Sequence, residues 1–125
     1  MTAWRIVGVH HVQLAMPAGQ EGVAEGFYAG ALGMERIPKP AHLAARGGCW
    51  FRAGGLELHL GVEEGFRASA KAHPALRVDG LAALRRSLDA RGAEVVEVTQ
   101  LAGHDRCYVR DPFGNRLELI EERSA

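Results

Sequence analysis

The chain has 125 residues, of which 47% are hydrophobic and 24% charged, the proportions of one ordinary globular domain. Its 15 basic and 15 acidic residues cancel, which excludes a general binder of nucleic acid or anionic membrane, because both need surplus basic charge. No apolar run approaches the roughly 20 residues of a membrane span, no secretory leader is evident, and two cysteines are too few for a disulfide scaffold, so a cytoplasmic protein is expected.

Taken in order, the elements fall into two similar halves. His11 to Met16 has strand character. Val23, Phe27 and Leu32 mark a helix face that Gly22, Gly26 and Gly30 weaken, each by about 1 kcal/mol relative to alanine. Pro38 to Gly48 is expected as a loop, followed by strands around Cys49–Arg52 and Leu56–Leu60, and Glu63 to Lys71 is a connector. The second half opens at His73 with another strand. Asp79 is expected to cap a helix carrying Leu81, Leu84 and Leu88, with Gly92 as its stop. Ala93–Val98, Asp105–Arg110 and Arg116–Glu122 are the closing strands, the last reached through the turn residues Asp111-Pro-Phe-Gly-Asn115.

The halves match each other in the same order. His11-Val-Gln-Leu14 matches His73-Pro-Ala-Leu76, and Leu32-Gly33-Met-Glu35 resembles Arg91-Gly92-Ala-Glu94. Cys49-Trp50-Phe51-Arg52 resembles Cys107-Tyr108-Val109-Arg110, and Leu56-Glu57-Leu58 equals Leu117-Glu118-Leu119. Each pair lies about 60 residues apart, as an internal duplication requires.

Side chains two apart on a strand share a face. Leu56, Leu58 and Leu60 therefore lie opposite Glu57 and His59, while Leu117 and Leu119 lie opposite Arg116, Glu118 and Ile120. Every such strand has one apolar face and one face bearing His, Glu, Gln or Arg. Two readings fit that second face. It is a solvated sheet surface, or its repeat-related His11/His73 and Glu57/Glu118 hold a divalent metal. Imidazole nitrogen with carboxylate oxygen suits Zn, Fe, Ni or Mn.

The opening His10-His11-Val-Gln-Leu, Phe27-Tyr28 before Leu32-Gly33, the central His73-Pro-Ala-Leu-Arg-Val and the closing Asp111-Pro-Phe-Gly-Asn-Arg-Leu-Glu118-Leu carry a further signal. With them the sequence resembles the vicinal oxygen chelate superfamily: glyoxalase I, bleomycin-resistance proteins, fosfomycin-resistance enzymes and extradiol dioxygenases. The resemblance implies an α+β fold of two paired βαβββ modules, about residues 5–62 and 72–122 of a single domain. They form a cupped mixed sheet with helices on its outer face. It implies His11, Glu57, His73 and Glu118 as metal ligands, with Glu57 also the catalytic base, and Gln13 and His59 as substrate contacts. His59, sharing the face of Glu57, is an alternative fourth ligand. A glyoxalase-type lyase or isomerase acting through a metal-stabilised enediolate is the implied activity. The implied assembly is a homodimer with sites between chains, His11 and Glu57 of one facing His73 and Glu118 of the other.

Two alternatives stay open, an Fe(II) dioxygenase using His11, His73 and Glu118, and a metal-free drug- or metabolite-binding resistance protein. The dioxygenase pattern is incomplete: Cys107 replaces its apolar residue, and His104 lies too close to Tyr108 to be its acid–base histidine. No lysine-rich potassium loop of the fosfomycin enzymes is evident. His10 is expected in the helix-facing core, and His42 and His104 in loops.

Overall fold

The computed structural model describes residues 3–123. The first half is β1 (Val12–Met16), α1 (Glu21–Glu25) continuing as a π-helical segment (Gly26–Ala31), β2 (Glu35–Ile37), a short α2 (Ala41–Ala44), β3 (Cys49–Ala53) and β4 (Leu56–Val62). The second is β5 (Ala75–Arg77), α3 (Leu81–Ala90), β6 (Val95–Glu97), β7 (His104–Arg110) and β8 (Arg116–Glu122). Each half makes a four-stranded sheet, ordered β1-β4-β3-β2 and β5-β8-β7-β6. In each half the first strand in sequence runs parallel to the last, its neighbour in the sheet, and the other pairs are antiparallel. The expected paired βαβββ architecture is the one observed.

Alternation places the core where the apolar faces meet the helices. Phe51, Leu58 and Leu60 pack with Ala24, Phe27 and Tyr28 in the first half, and Cys107, Val109, Leu117 and Leu119 with Leu81 and Leu88 in the second. Each fully buried leucine among them contributes roughly 1.5–3 kcal/mol. Cys49 and Cys107 are free and buried in repeat-related places, and burial pushes both thiols up, so they pack as small apolar groups.

The glycine-weakened helix takes a wider turn: Leu32 N–H donates to the Phe27 carbonyl five residues back, the π pattern. Phe27 and Tyr28 are thereby buried, while Val23, expected on one helix face with Phe27 and Leu32, is 47% exposed. The stretch expected as a loop contains α2, so His42 is helical. His104 opens β7, and His10 is exposed rather than in the core.

The cap of α3 also differs from expectation. Gly80, in the left-handed region, precedes the helix, and no side chain of the N-cap serves it. The Gly80 and Leu81 N–H groups instead donate to the Glu121 carboxylate at 2.7 and 3.1 Å. A residue of β8 thus satisfies donors that Asp79 was expected to satisfy. The other end ends as expected: Gly92 N–H donates to Asp89 and Ala93 N–H to Leu88, with Gly92 at φ 75°, the Schellman arrangement.

The turn Asp111–Asn115 joins the two halves. Oδ1 of Asp111 accepts the N–H groups of Phe113 and Asn115 at 2.9 and 2.8 Å. Its Oδ2 accepts the Tyr28 hydroxyl at 2.7 Å and Asn115 Nδ2 at 2.8 Å. Asn115 Nδ2 also donates to the Ala15 carbonyl of β1 at 2.9 Å. Burial first, and the Asp111 charge second, push the Tyr28 phenol well above its ordinary value, so it stays a donor.

Candidate metal-binding and substrate site

The polar face of the first sheet is built around His59, 4% exposed on β4. Its ring lies between His11, centroid 4.1 Å away, and Trp50, 3.8 Å away and nearly parallel at 3°. His59 Nε2 donates to Glu57 Oε1 at 2.8 Å, and that bond holds the Glu57 carboxyl below its usual range. The Glu57 side chain is still 26% exposed and lines an open cleft of about 530 Å³ with His10 and His11. Nδ1 of His10 and Nδ1 of His11 are 2.9 Å apart, a distance at which one ring donates and the other accepts. Gln13 pairs with His59 across β1 and β4, and its side chain lies over Gly61.

The second sheet repeats the layout. His73 Nε2 lies 3.1 Å from Glu118 Oε1, and Arg106 Nη1 donates to Oε2 of the same carboxylate at 3.2 Å. Glu118 is 7% exposed. Tyr108 lies 4.9 Å from the His73 ring and carries the Arg116 guanidinium 4.6 Å above its own. His73 opens on a second cleft of about 460 Å³, shared with Gln13, Asn115 and Arg116.

Two species satisfy the His73 contact. Nδ1 lies 2.7 Å from the Lys71 carbonyl, which can only accept, so Nδ1 carries the proton and donates. In a neutral ring Nε2 then presents a lone pair to the Glu118 carboxylate, acceptor against acceptor. A positive charge must sit between them, either a proton on Nε2 or a metal ion. The donor set fits a divalent ion, and the Lys71 carbonyl fixes the ring as second-sphere acceptors do in metal sites. His11 and His59 offer two further imidazoles on the other sheet. Among the described residues, no three His, Cys, Asp or Glu side chains of one chain are grouped to hold a metal.

The strand register corrects the pairing of the repeats. Gln13 and Trp50 flank His59 in the first sheet, and Ala75 and Tyr108 flank Glu118 in the second. The counterpart of Glu118 is therefore His59, not Glu57, and Glu57 corresponds to Arg116. Leu56-Glu57-Leu58 and Leu117-Glu118-Leu119 are alike in letters and two residues out of step in space. Trp50 and Arg106 are the side chains at this face that sequence reasoning passed over. Trp50 was visible as the partner of Tyr108 in the Cys49/Cys107 match, whereas Arg106 had no signal.

Residues 13–120 match the family pattern of the glyoxalase-like domain. No curated protein matches the chain. Among solved structures, a Bacillus anthracis protein described as of the glyoxalase family is 43% identical, with a TM-score of 0.93, over 98% of this chain and 100% of that one. A fosfomycin resistance protein, FosX, of Listeria monocytogenes shares the fold at 17% identity and a TM-score of 0.70, over 97% and 95% of the two chains. An integron cassette protein from V. cholerae shares it at 20% and 0.72, over 96% and 98%. Among the described residues no helix is long and apolar enough to cross a membrane. The chain belongs to the glyoxalase-like domain family, within the vicinal oxygen chelate superfamily.

Proposed function

We propose that the protein is a divalent-metal-dependent lyase or isomerase of glyoxalase type, acting on a small molecule that chelates through adjacent oxygens. The observation that carries this reading is the His73–Glu118 contact, an imidazole Nε2 3.1 Å from a buried carboxylate with the other ring nitrogen tied to a carbonyl. His11, His73 and Glu118 would hold the ion, with the fourth position supplied from β4 by the Glu57–His59 pair. A bound divalent ion would polarise a substrate oxygen and acidify the neighbouring C–H bond. Glu57 is the proton acceptor in this reading: His59 occupies one of its oxygens, and the exposed remainder faces the cleft. Gln13 and Trp50 border the same row and would contact the substrate.

The repeated layout, an opening imidazole against a buried donor on each sheet, supports a homodimer, in which His11 and β4 of one copy face His73 and Glu118 of the other. Elemental analysis of native protein, beside His73→Ala and Glu118→Ala, tests the reading. Wild type should carry a first-row divalent metal and both variants should lose most of it; equal metal content in all three overturns it. Sedimentation should show a dimer, and a monomer with full metal occupancy removes the shared site. Oxygen uptake with a catechol in the presence of ferrous iron would mark ring cleavage instead.

A further inference from the structure

We infer that His59 is the fourth protein ligand of this site, its ring held by one oxygen of Glu57, so the donor set is three imidazoles and one carboxylate. The inference deepens the metal-dependent reading and rests on it. Three features of the structure agree.

Across β1 and β4, Gln13 pairs with His59, as Ala75 pairs with Glu118 across β5 and β8. Across β3 and β4, Trp50 pairs with His59, as Tyr108 pairs with Glu118 across β7 and β8. The side chains repeat the relation: His11 lies against His59 at 4.1 Å between centroids, and its counterpart His73 meets Glu118 at 3.1 Å. Both opening histidines thus reach the same position of the last strand. Glu57 holds the position that Arg116 holds in the second half, where a guanidinium cannot be a ligand.

The environment of His59 is that of a held ligand. The ring is buried, fixed on both faces by His11 and Trp50, and its Nε2 donates to Glu57 at 2.8 Å. A neutral imidazole donating through Nε2 keeps its lone pair on Nδ1, and a carboxylate on the far nitrogen is the usual support of a metal-bound histidine. With Glu118 as the sole carboxylate, the loaded site keeps a net positive charge, and an imidazole-rich set favours Co, Ni and Zn over Mn and Mg.

Proton NMR of the Co(II)-substituted protein counts the imidazoles without reference to activity. Each ligating ring keeps an N–H on its other nitrogen, which gives one strongly shifted resonance that disappears in deuterated water. Wild type should show three such resonances, His59→Asn two, and Glu57→Gln three, with Co(II) affinity in the last lowered about 10–100-fold. Two resonances in wild type would overturn the assignment and leave the metal reading standing. So would loss of Co(II) from Glu57→Gln as complete as from Glu118→Gln. A wild-type protein that takes up no Co(II), Ni(II) or Zn(II) removes the metal reading itself, and this assignment with it. The counts in wild type and Glu57→Gln decide the matter even where His59→Asn fails to fold.

Discussion

Replacing Tyr28 by phenylalanine deletes one oxygen atom and tests whether the Asp111 turn fastens the two halves of the chain together. The hydroxyl donates to Asp111 Oδ2 at 2.7 Å, and both residues are buried. A hydrogen bond to a charged acceptor contributes about 1.5–3 kcal/mol. Asp111 keeps Asn115 Nδ2 and two backbone N–H donors after the change, so the loss belongs at the low end, about 1.5 kcal/mol. For a chain of this length that is a fall in Tm of about 5 °C. Asp111→Ala should cost more, about 3–5 kcal/mol, because it strands the Tyr28 hydroxyl, Asn115 Nδ2 and two N–H groups in the interior. The decisive measurement is the double variant. In the Asp111→Ala background the Tyr28 hydroxyl has lost its acceptor, so Tyr28→Phe should be neutral or stabilising. Urea unfolding followed by circular dichroism, at one fixed protein concentration, gives all four stabilities. Additive effects of the two substitutions, or a Tyr28→Phe loss below about 0.5 kcal/mol, would refute the tie.

Three further outcomes are expected. Glu121→Gln should destabilise α3 at neutral pH, because the carboxylate accepts from Gly80 and Leu81 N–H groups and those bonds hold it below the usual range. A depressed folded value stabilises above the unfolded value of about 4.3 and loses that effect as pH falls through the folded one, so urea midpoints of wild type and variant should converge in acid. Gly48→Ala should cost on the order of 3 kcal/mol or more, since a Cβ there would lie 2.1 Å from the Leu60 carbonyl oxygen at φ 83°. Gly61→Ala meets only the movable end of Gln13 and should cost under about 1 kcal/mol, a contrast that thermal melts resolve. Removing bound metal with a chelator should lower Tm by about 10 °C, because saturation at 100 times Kd stabilises by about 2.7 kcal/mol. An unchanged melt of protein shown to have carried metal would count against a ligand set built into the native state.

Features set within a few residues of each other were legible in the letters. The turn Asp111–Asn115 and the strand Arg116–Glu122 follow from local turn chemistry and alternation, and Gly92 announced the end of α3. Features set by partners distant in the chain were not. Nothing near Asp79 says that Glu121, on the neighbouring strand, will supply the cap. The misplaced repeat has an equally specific cause. Identical Leu-Glu-Leu triplets invited alignment, but strand stagger is set by the hairpin loop. Ala53 pairs with Leu56 across Gly54–Gly55, while Asp111 and Asn115 close their loop across Pro112–Gly114, one residue longer. A single inserted residue makes His59 the counterpart of Glu118; the triplet match would need three. Anchoring the comparison on Cys49 and Cys107, which both face the core, would have found the register.

That register also separates the two readings left open for the polar face. A sheet surface that only meets water requires polarity at each position and nothing more specific. Here the two halves hold the same side-chain class at two corresponding places: imidazole at His11 and His73, and an aromatic ring at Trp50 and Tyr108. A third pair, His59 and Glu118, keeps donor function with different chemistry. The pair at the next position, Glu57 and Arg116, has gone to opposite charge. Moreover, His59 and Glu118 are 4% and 7% exposed, so the chain bears the desolvation of an imidazole and a carboxylate on a face that solvation alone would leave wet. Arg106 and His73 offset that cost for Glu118, as His11, Trp50 and Glu57 do for His59. Buried polar side chains at matched positions, each in contact with the opening imidazole of its half, are what a bare solvated sheet face does not require.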